Sequence, residues 1–300
     1  MTIKHPRFSI IIPTRDRANL LKDCLKSVFD QSYQDFECIV VDDGSTDHTK
    51  EAISHFPDER LRYYFHPTDD RSESRNYGIE RASGDFICFL DDDDWIKIDY
   101  LSSFNDLITN GTYQGQVIRT SFVKFINGQE YKTPHYSQLK YNHPLKFIAF
   151  NMCGVGSLCI PIEYLKEYKF PTAFPHWQDT YLFLNLLARY PMVQMNNYNY
   201  VYRIHDDMGS KLVIDEEQLK RRSELNTRAI KDFSENHFDE VSQYLSYRDF
   251  SYLLAEKYIQ YALHAKEHGF SRLAKELKKK SLSAGYYWRL WKYYLRGIKI

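Results

Sequence analysis

Phe86-Ile87-Cys88-Phe89-Leu90-Asp91-Asp92-Asp93-Asp94 is a short apolar run that stops in four successive carboxylates. Its apolar half reads as a strand, and its neighbours upstream repeat the pattern. Residues 8–13, 36–41, 61–65 and 85–90 read as strands, while 18–30, 46–56 and 72–82 carry helical spacing, with Asp47 and Ser72 near plausible starts. This βαβα alternation predicts a parallel, doubly wound sheet. Right-handed crossovers bring the carboxyl ends of such strands to one edge, where ligands bind at a switch in strand order. The acidic run therefore belongs at that edge.

Four adjacent carboxylates repel one another unless something cationic joins them. In extended chain, residues i and i+2 point the same way, so Asp91 pairs with Asp93 and Asp92 with Asp94. Hard oxygen ligands of this kind suit Mg2+ or Mn2+ held jointly with substrate phosphates. The run by itself is equally well read as a solvated acidic turn in which Asp94 caps a following helix.

A second polar segment follows the second strand, Val40-Val41-Asp42-Asp43-Gly44-Ser45-Thr46-Asp47. Asp42 at the strand end is able to accept a hydrogen bond from the imide N–H of a uracil ring, Gly44 permits the turn, and Ser45 or Thr46 starts the helix. Alone, this is also a well-made strand-to-helix turn. The first strand ends in Ile12-Pro13-Thr14-Arg15-Asp16-Arg17-Ala18-Asn19-Leu20. It lacks the glycine-rich phosphate fingerprint of dinucleotide-binding oxidoreductases and P-loop enzymes. Thr14 and the arginines instead supply donors for a base, ribose or phosphate. Arg71, Arg75 and Asn76 precede or enter the helix before the acidic strand, and arginine at that edge suits a diphosphate.

Together, Ile10-Ile11-Ile12-Pro13-Thr14, the segment 40–47, Arg75-Asn76-Tyr77-Gly78-Ile79, Ala82-Ser83-Gly84-Asp85 and Phe89-Leu90-Asp91-Asp92-Asp93-Asp94 resemble family 2 glycosyltransferases in order and spacing. The resemblance is specific over 7–101 and moderate to about 211. It implies a GT-A fold: Rossmann-like, with a doubly wound mixed sheet. It also implies an inverting, metal-dependent transferase that uses Mn2+ or Mg2+ and a nucleoside-diphosphate sugar. By the same resemblance, Asp42 is the uracil contact, and Pro13 and Thr14 line the nucleoside pocket beside Arg15. Asp91 and Asp93 are the two acids of the DxD motif, and Asp93 is the one expected to touch metal. Asp92 remains a candidate should the register slip by one. Arg71 and Arg75 would face the diphosphate.

The family also places an acidic pair at a helix start on the acceptor side, the second acid serving as base. The matching stretch is His176-Trp177-Gln178-Asp179-Thr180-Tyr181-Leu182-Phe183. It assigns the base to Asp179 and acceptor contacts to His176 and Trp177, with Gln178 standing where glutamate is usual. Without the upstream motifs, Asp179 would read as an ordinary helix-start carboxylate. Tyr202-Arg203-Ile204-His205-Asp206-Asp207-Met208-Gly209-Ser210 resembles the family's Arg-x-His segment and makes His205 a third metal or diphosphate contact. The bland alternative is a structural histidine.

Beyond these motifs, strands are expected at 116–126, 155–160 and 198–204 and a helix at 180–190. After 211 strand signals stop, and 215–233, 241–268 and 271–283 read as amphipathic helices, with Gly269 as a stop. The expected organisation is a catalytic domain at 1–211 and a C-terminal α-helical appendage at 212–300. Residues 286–296 are aromatic and basic and follow Lys278-Lys279-Lys280. That composition suits an interfacial helix on an anionic membrane, and equally a terminal helix packed on the appendage or a homo-oligomer contact.

Bulk properties fit. At 300 residues and 43% hydrophobic content the chain can bury a sizeable core. Forty basic side chains balance forty acidic ones, so nothing in the overall charge draws it to nucleic acid. Met1 to Phe8 lacks the features of a secretory signal and no apolar run approaches the roughly eighteen residues of a membrane span, so a cytoplasmic protein, at most peripheral on the inner membrane face, is expected. The five cysteines, Cys24, Cys38, Cys88, Cys153 and Cys159, show no zinc-type pairing and no accompanying His motif, and read as buried small hydrophobes.

The expected work is assembly of a surface glycan on a lipid-linked acceptor. A non-catalytic nucleotide-sugar-binding module and a sugar nucleotidyltransferase are the alternatives.

Overall fold

Three near-continuous apolar segments, Phe8–Thr14 (β1), Phe36–Asp42 (β2) and Phe86–Phe89, are buried at every position, as parallel strands covered on both faces must be. They form the centre of a computed structural model that describes residues 7–133, 143–151, 154–174, 176–205 and 215–284.

Along the chain, β1 is followed by α1 (Ala18–Phe29), β2, α2 (Thr49–Ser54), β3 (Leu61–Phe65), α3 (Arg71–Arg81) and β4 (Phe86–Phe89). Then come β5 (Trp95–Ile96), α4 (Tyr100–Thr109), β6 (Val117–Arg119), β7 (Phe122–Ile126), β8 (Gln129–Lys132), α5 (Pro144–Phe150), β9 (Leu158–Pro161) and α6 (Ile162–Glu167). The remainder is α7 (Gln178–Arg189), β10 (Met192–Gln194), β11 (Tyr200–Ile204), α8 (Glu216–Asn236), α9 (Phe238–Val241), α10 (Tyr247–Glu267) and α11 (Ser271–Ser283).

The main sheet has the order β10-β6-β9-β4-β1-β2-β3. β1 runs parallel to β2 and β4, and β9 lies antiparallel between β4 and β6, so the doubly wound sheet is mixed. Strand order reverses at β1, which puts the ends of β1, β2 and β4 around one crevice. Helix α1 buries Ala18, Leu21, Cys24, Leu25 and Val28, an i, i+3, i+4 stripe that closes one face of the core with Ile10, Ile12, Cys38 and Val40. Cys24, Cys38, Cys88 and Cys159 are buried free thiols; Cys153 lies outside the described residues.

The expected single strand at 116–126 is two. β6 joins the main sheet and β7 a second sheet of order β5-β11-β7-β8. The chain changes sheets at Thr120 and Ser121, whose N–H groups donate to the Ser157 and Asn197 carbonyls instead of continuing a ladder. An alternation of side chains does not encode which backbone a strand pairs with.

Contacts divide the chain into two compact units. One comprises residues 1–144, 152–172 and 189–205, and the other 145–151, 173–188 and 206–300. The second groups α7 and most of α5 with the C-terminal helices. There α10 packs on α8 and α11 through Leu219, Tyr252, Ala255, Ile259, Leu273 and Leu277. The helix expected at 241–268 breaks at 242–246, and α10 starts afresh on a capping box between Ser246 and Asp249. No helix among the described residues is long and apolar enough to cross a membrane.

Candidate active site

The crevice beyond β1, β2 and β4 is held together by carboxylates bonded to backbone N–H groups. Asp42, at the end of β2, accepts from the Ser45 N–H at 2.8 Å and from the Tyr63 hydroxyl at 2.8 Å. It is buried, and Gly44, with φ of +84°, makes the turn that brings Ser45 back to it. Asp43 accepts from the Thr68 and Asp69 N–H groups at 2.6 and 2.8 Å. Asp16, itself at φ of +51°, accepts from the Thr46 and Asp47 N–H groups, and the Thr46 bond foremost holds its carboxyl below the usual range. The loops after β1, β2 and β3 are thus tied into one rim.

The acidic run continues from β4 into this rim and each carboxylate has its own surroundings. Asp91 receives Arg75 Nη2 at 2.6 Å, and the buried Arg75 guanidinium lies over the Phe170 ring at 5.1 Å. Burial opposes ionisation of Asp91, but the charges of Arg75, Arg71 and Arg17 outweigh it and hold the carboxyl low. Asp92 accepts from the Thr14 hydroxyl at 2.8 Å and from Arg17 Nη1 at 2.9 Å. Burial, reinforced by the neighbouring Asp93 charge and only partly offset by Arg17, pushes it up to about 6. Asp93 meets Arg17 Nη1 at 2.7 Å and His205 Nε2 at 3.2 Å.

Asp94 has no exposed surface. It accepts from the Tyr200 hydroxyl and from the Arg203 N–H at 2.8 Å, which ties the acidic loop to β11. Burial raises its carboxyl well above the ordinary range, with Asp93 and Asp91 adding to the shift. It caps no helix: the residue before α4 is Asp99.

Among the described residues, Asp91, Asp93 and Asp94 offer carboxylate oxygens within 4.8 Å of one another, a spacing a cation could bridge. Asp94 is wholly buried and bonded to β11, whereas Asp91 and Asp93 keep some exposure toward the crevice, so Asp91 and Asp93 are the pair that fits a hard divalent ion.

The structure therefore gathers Thr14, Arg75, Asp91, Asp92, Asp93 and His205 into one cluster, with the exposed Arg71 acting on it through its charge. Pro13 pairs in register with Val41 within the sheet. Arg15 turns instead to Asp69, and Arg203 of the Arg-x-His segment reaches Asp23 at 3.0 Å and stacks over Trp95.

His176, Trp177, Gln178 and Asp179 lie in the second unit, at the start of α7. Trp177 has φ of +68°, a left-handed conformation that costs a bulky side chain about 1–3 kcal/mol and marks a constrained entry to the helix. Its ring stands edge-on to Tyr181 and Phe233 at 6.4 and 6.1 Å. Residues 206–210 lie outside the described residues.

Arg17, Tyr63 and Tyr200 were not singled out from sequence. Arg17 stood in the right segment, but nothing in Arg15-Asp16-Arg17 tells which arginine turns inward. The positive φ of Asp16 decides it.

Comparison with known proteins agrees with this geometry. The model of the family described as Glycosyl transferase family 2 matches residues 9–160. An uncharacterized glycosyltransferase of Haemophilus influenzae is 28% identical over 199 residues, 59% of this chain and 79% of that protein. WfgD of Escherichia coli, a UDP-Glc:alpha-D-GlcNAc-diphosphoundecaprenol beta-1,3-glucosyltransferase, is 30% identical over 60% of this chain and 69% of its own length. Other relatives are much longer, and this chain spans 17% and 36% of two of them.

Among solved structures, Staphylococcus aureus TarS 1–349 in complex with UDP-GlcNAc superposes with a TM-score of 0.61 at 17% identity, covering 94% of this chain and 93% of that one. The Pyrobaculum calidifontis mannosyltransferase PcManGT, in complex with GDP-Man and Mn2+, gives 0.60 at 18%, covering 96% and 84%. These likenesses establish the GT-A fold. With the family model spanning half the chain and its acidic strand end at the crevice, the chain belongs to glycosyl transferase family 2.

Proposed function

We propose that this glycosyltransferase is metal-dependent and inverting, and that it moves a sugar from a UDP donor to a hydroxyl of a lipid-linked glycan during surface polysaccharide assembly. The observation that carries the reading is the pairing at the crevice of Asp91 with Arg75 and of Asp93 with Arg17 and His205, an acidic pair flanked by two guanidinium groups where a diphosphate would lie. The donor and acceptor classes are supported by the names of WfgD and TarS, and a manganese ion by that of PcManGT.

In the reaction the acceptor oxygen forms a bond to the anomeric carbon as the bond from that carbon to the diphosphate oxygen breaks on the opposite face. One such displacement inverts the configuration. Asp179 takes the hydroxyl proton, an effect worth roughly two to four powers of ten. Negative charge grows on the departing diphosphate, and Arg75 and Arg71 are the residues to receive it. A divalent cation, when bound, supplies Lewis-acid stabilisation to that leaving group. Asp91 and Asp93 would hold it, with His205 beside them. Asp42 keeps acceptor capacity for a uracil imide N–H, because each carboxylate oxygen accepts two hydrogen bonds and one each is in use. Thr14 and Pro13 line the same pocket, and His176 and Trp177 serve the acceptor.

The C-terminal region supplies the membrane side of this reading. Arg272, Lys275 and Lys279 are exposed at i, i+3 and i+7 on α11, and residues 277–300 contain seven basic residues and no acidic one.

The test is sugar release from UDP-sugars, with and without a lipid-linked acceptor, in Mn2+ and in chelator. Activity should require the metal and disappear in Asp93→Asn; undiminished turnover in chelator refutes metal dependence. Gln178, in place of a glutamate, favours a second reading as a nucleotide-sugar-binding module. That reading expects donor binding with no turnover under any condition.

A further inference from the structure

Arg17 reaches into the acidic run at the expected metal ligand Asp93. Its Nη1 alone bridges two carboxylates, Asp92 Oδ1 at 2.9 Å and Asp93 Oδ2 at 2.7 Å. The three side chains are largely shielded, at 18%, 6% and 12% exposure, so water screens the contact little.

The backbone on both sides of Arg17 is pinned. Asp16 is bonded to the Thr46 and Asp47 N–H groups, and the Ala18 N–H, first in α1, donates to Asp47 Oδ2 at 3.1 Å. The guanidinium is thus delivered to this acidic pair by fixed anchors and not by a loose surface side chain. The oxygen it holds on Asp93 is the same one that His205 approaches.

A divalent ion arriving alone at Asp93 would have to displace this guanidinium or lie against it, and like charges at such range repel strongly. An ion arriving with a diphosphate brings the anionic oxygens that can take the guanidinium over. We propose that Arg17 is the resident counter-cation of the Asp92–Asp93 pair, which makes these acids a poor site for a free divalent ion and couples metal binding to the arrival of the nucleoside diphosphate. This rests on the reading of Asp93 as a metal ligand given above. Arg17 acts here as a positioning residue, and its effect is an ordered assembly of the loaded site.

The experiment is a Mn2+ titration followed by the electron paramagnetic resonance signal of the free ion, with and without UDP, on the whole chain. The parent should bind Mn2+ weakly alone and at least tenfold more tightly with UDP. R17M should bind Mn2+ alone at least tenfold more tightly than the parent, with a smaller gain from UDP; R17K, which keeps the charge, should follow the parent. R17Q carries the same comparison if R17M does not fold. D93N should bind no Mn2+ alone and, with UDP, none beyond what UDP takes up in a protein-free blank. Coupled binding in the parent together with unchanged affinity in R17M or R17Q overturns the role of Arg17, as does a gain in R17K equal to that in R17M. Absence of Mn2+ binding by the parent even with UDP overturns the metal reading, and this proposal with it.

Discussion

Replacing Tyr200 by Phe tests whether the acidic loop is held from β11. The ring itself is close-fitted: a Cβ added at Gly154 or Gly156 would fall 2.4 or 2.6 Å from it, and it packs on Phe122 at 5.7 Å. Phenylalanine keeps all of that packing and removes one hydroxyl, leaving Asp94 with only the Arg203 N–H among its hydrogen bonds described above. Asp94 is fully buried, so no water replaces the lost donor. Leaving a buried acceptor short of its donor costs about 1–3 kcal/mol. A loss of about 2 kcal/mol corresponds to about 4–8 °C in melting temperature for a unit of this size. Because Asp91 to Asp93 hang on the same loop, UDP-dependent Mn2+ binding should weaken in parallel. Differential scanning calorimetry with and without Mn2+ and UDP reads both effects. A Tyr200→Phe protein that melts within about 1 °C of the parent and binds Mn2+ and UDP unchanged would refute the tether.

Other outcomes follow from the same structure. Asp179→Asn should lower sugar transfer by roughly two to four powers of ten while UDP affinity stays at the parental value, measured by single-turnover transfer and calorimetry. Asp249→Ala removes the capping box of α10 and should cost about 1 kcal/mol at neutral pH, read by urea denaturation. Burial opposes ionisation of Asp249, but the Ser246 N–H and hydroxyl, with Lys146, hold its carboxyl below 3.8; the stability is therefore present above 3.8, and the difference from the parent should shrink only as pH falls below 3.8 through the lowered folded-state value. Deleting residues 285–300 should reduce sedimentation with phosphatidylglycerol vesicles, and raising salt should weaken parental binding in the same assay. Equal sedimentation of both proteins would place any membrane contact elsewhere.

Much of the catalytic half was readable before any fold was known, because a parallel sheet writes itself as repeated apolar runs separated by amphipathic helices. The strands ending at Thr14, Asp42 and Phe89 fall where the alternation placed them, within a residue or so. The residue types at those ends left a metal site and a solvated turn equally open; it was the order and spacing of the motifs together that gave the family, which the family model matches. What the sequence could not decide was pairing among near-identical groups. Four successive aspartates have four different fates: Asp91 goes to Arg75, Asp92 to Thr14 and Arg17, Asp93 to Arg17 and His205, and Asp94 to Tyr200 and the backbone of Arg203. Local periodicity carries side-chain direction but no information about partners about 75 to 112 positions away. The sheet change at Thr120 and the helix break before Ser246 are of the same kind, set by backbone groups whose partners come from elsewhere in the chain or from a cap. Sequence determined that these strand ends share one edge and carry carboxylates beside arginines; tertiary structure alone decided which partner each carboxylate takes, because burial and hydrogen-bond geometry exist only once the distant partners are in place.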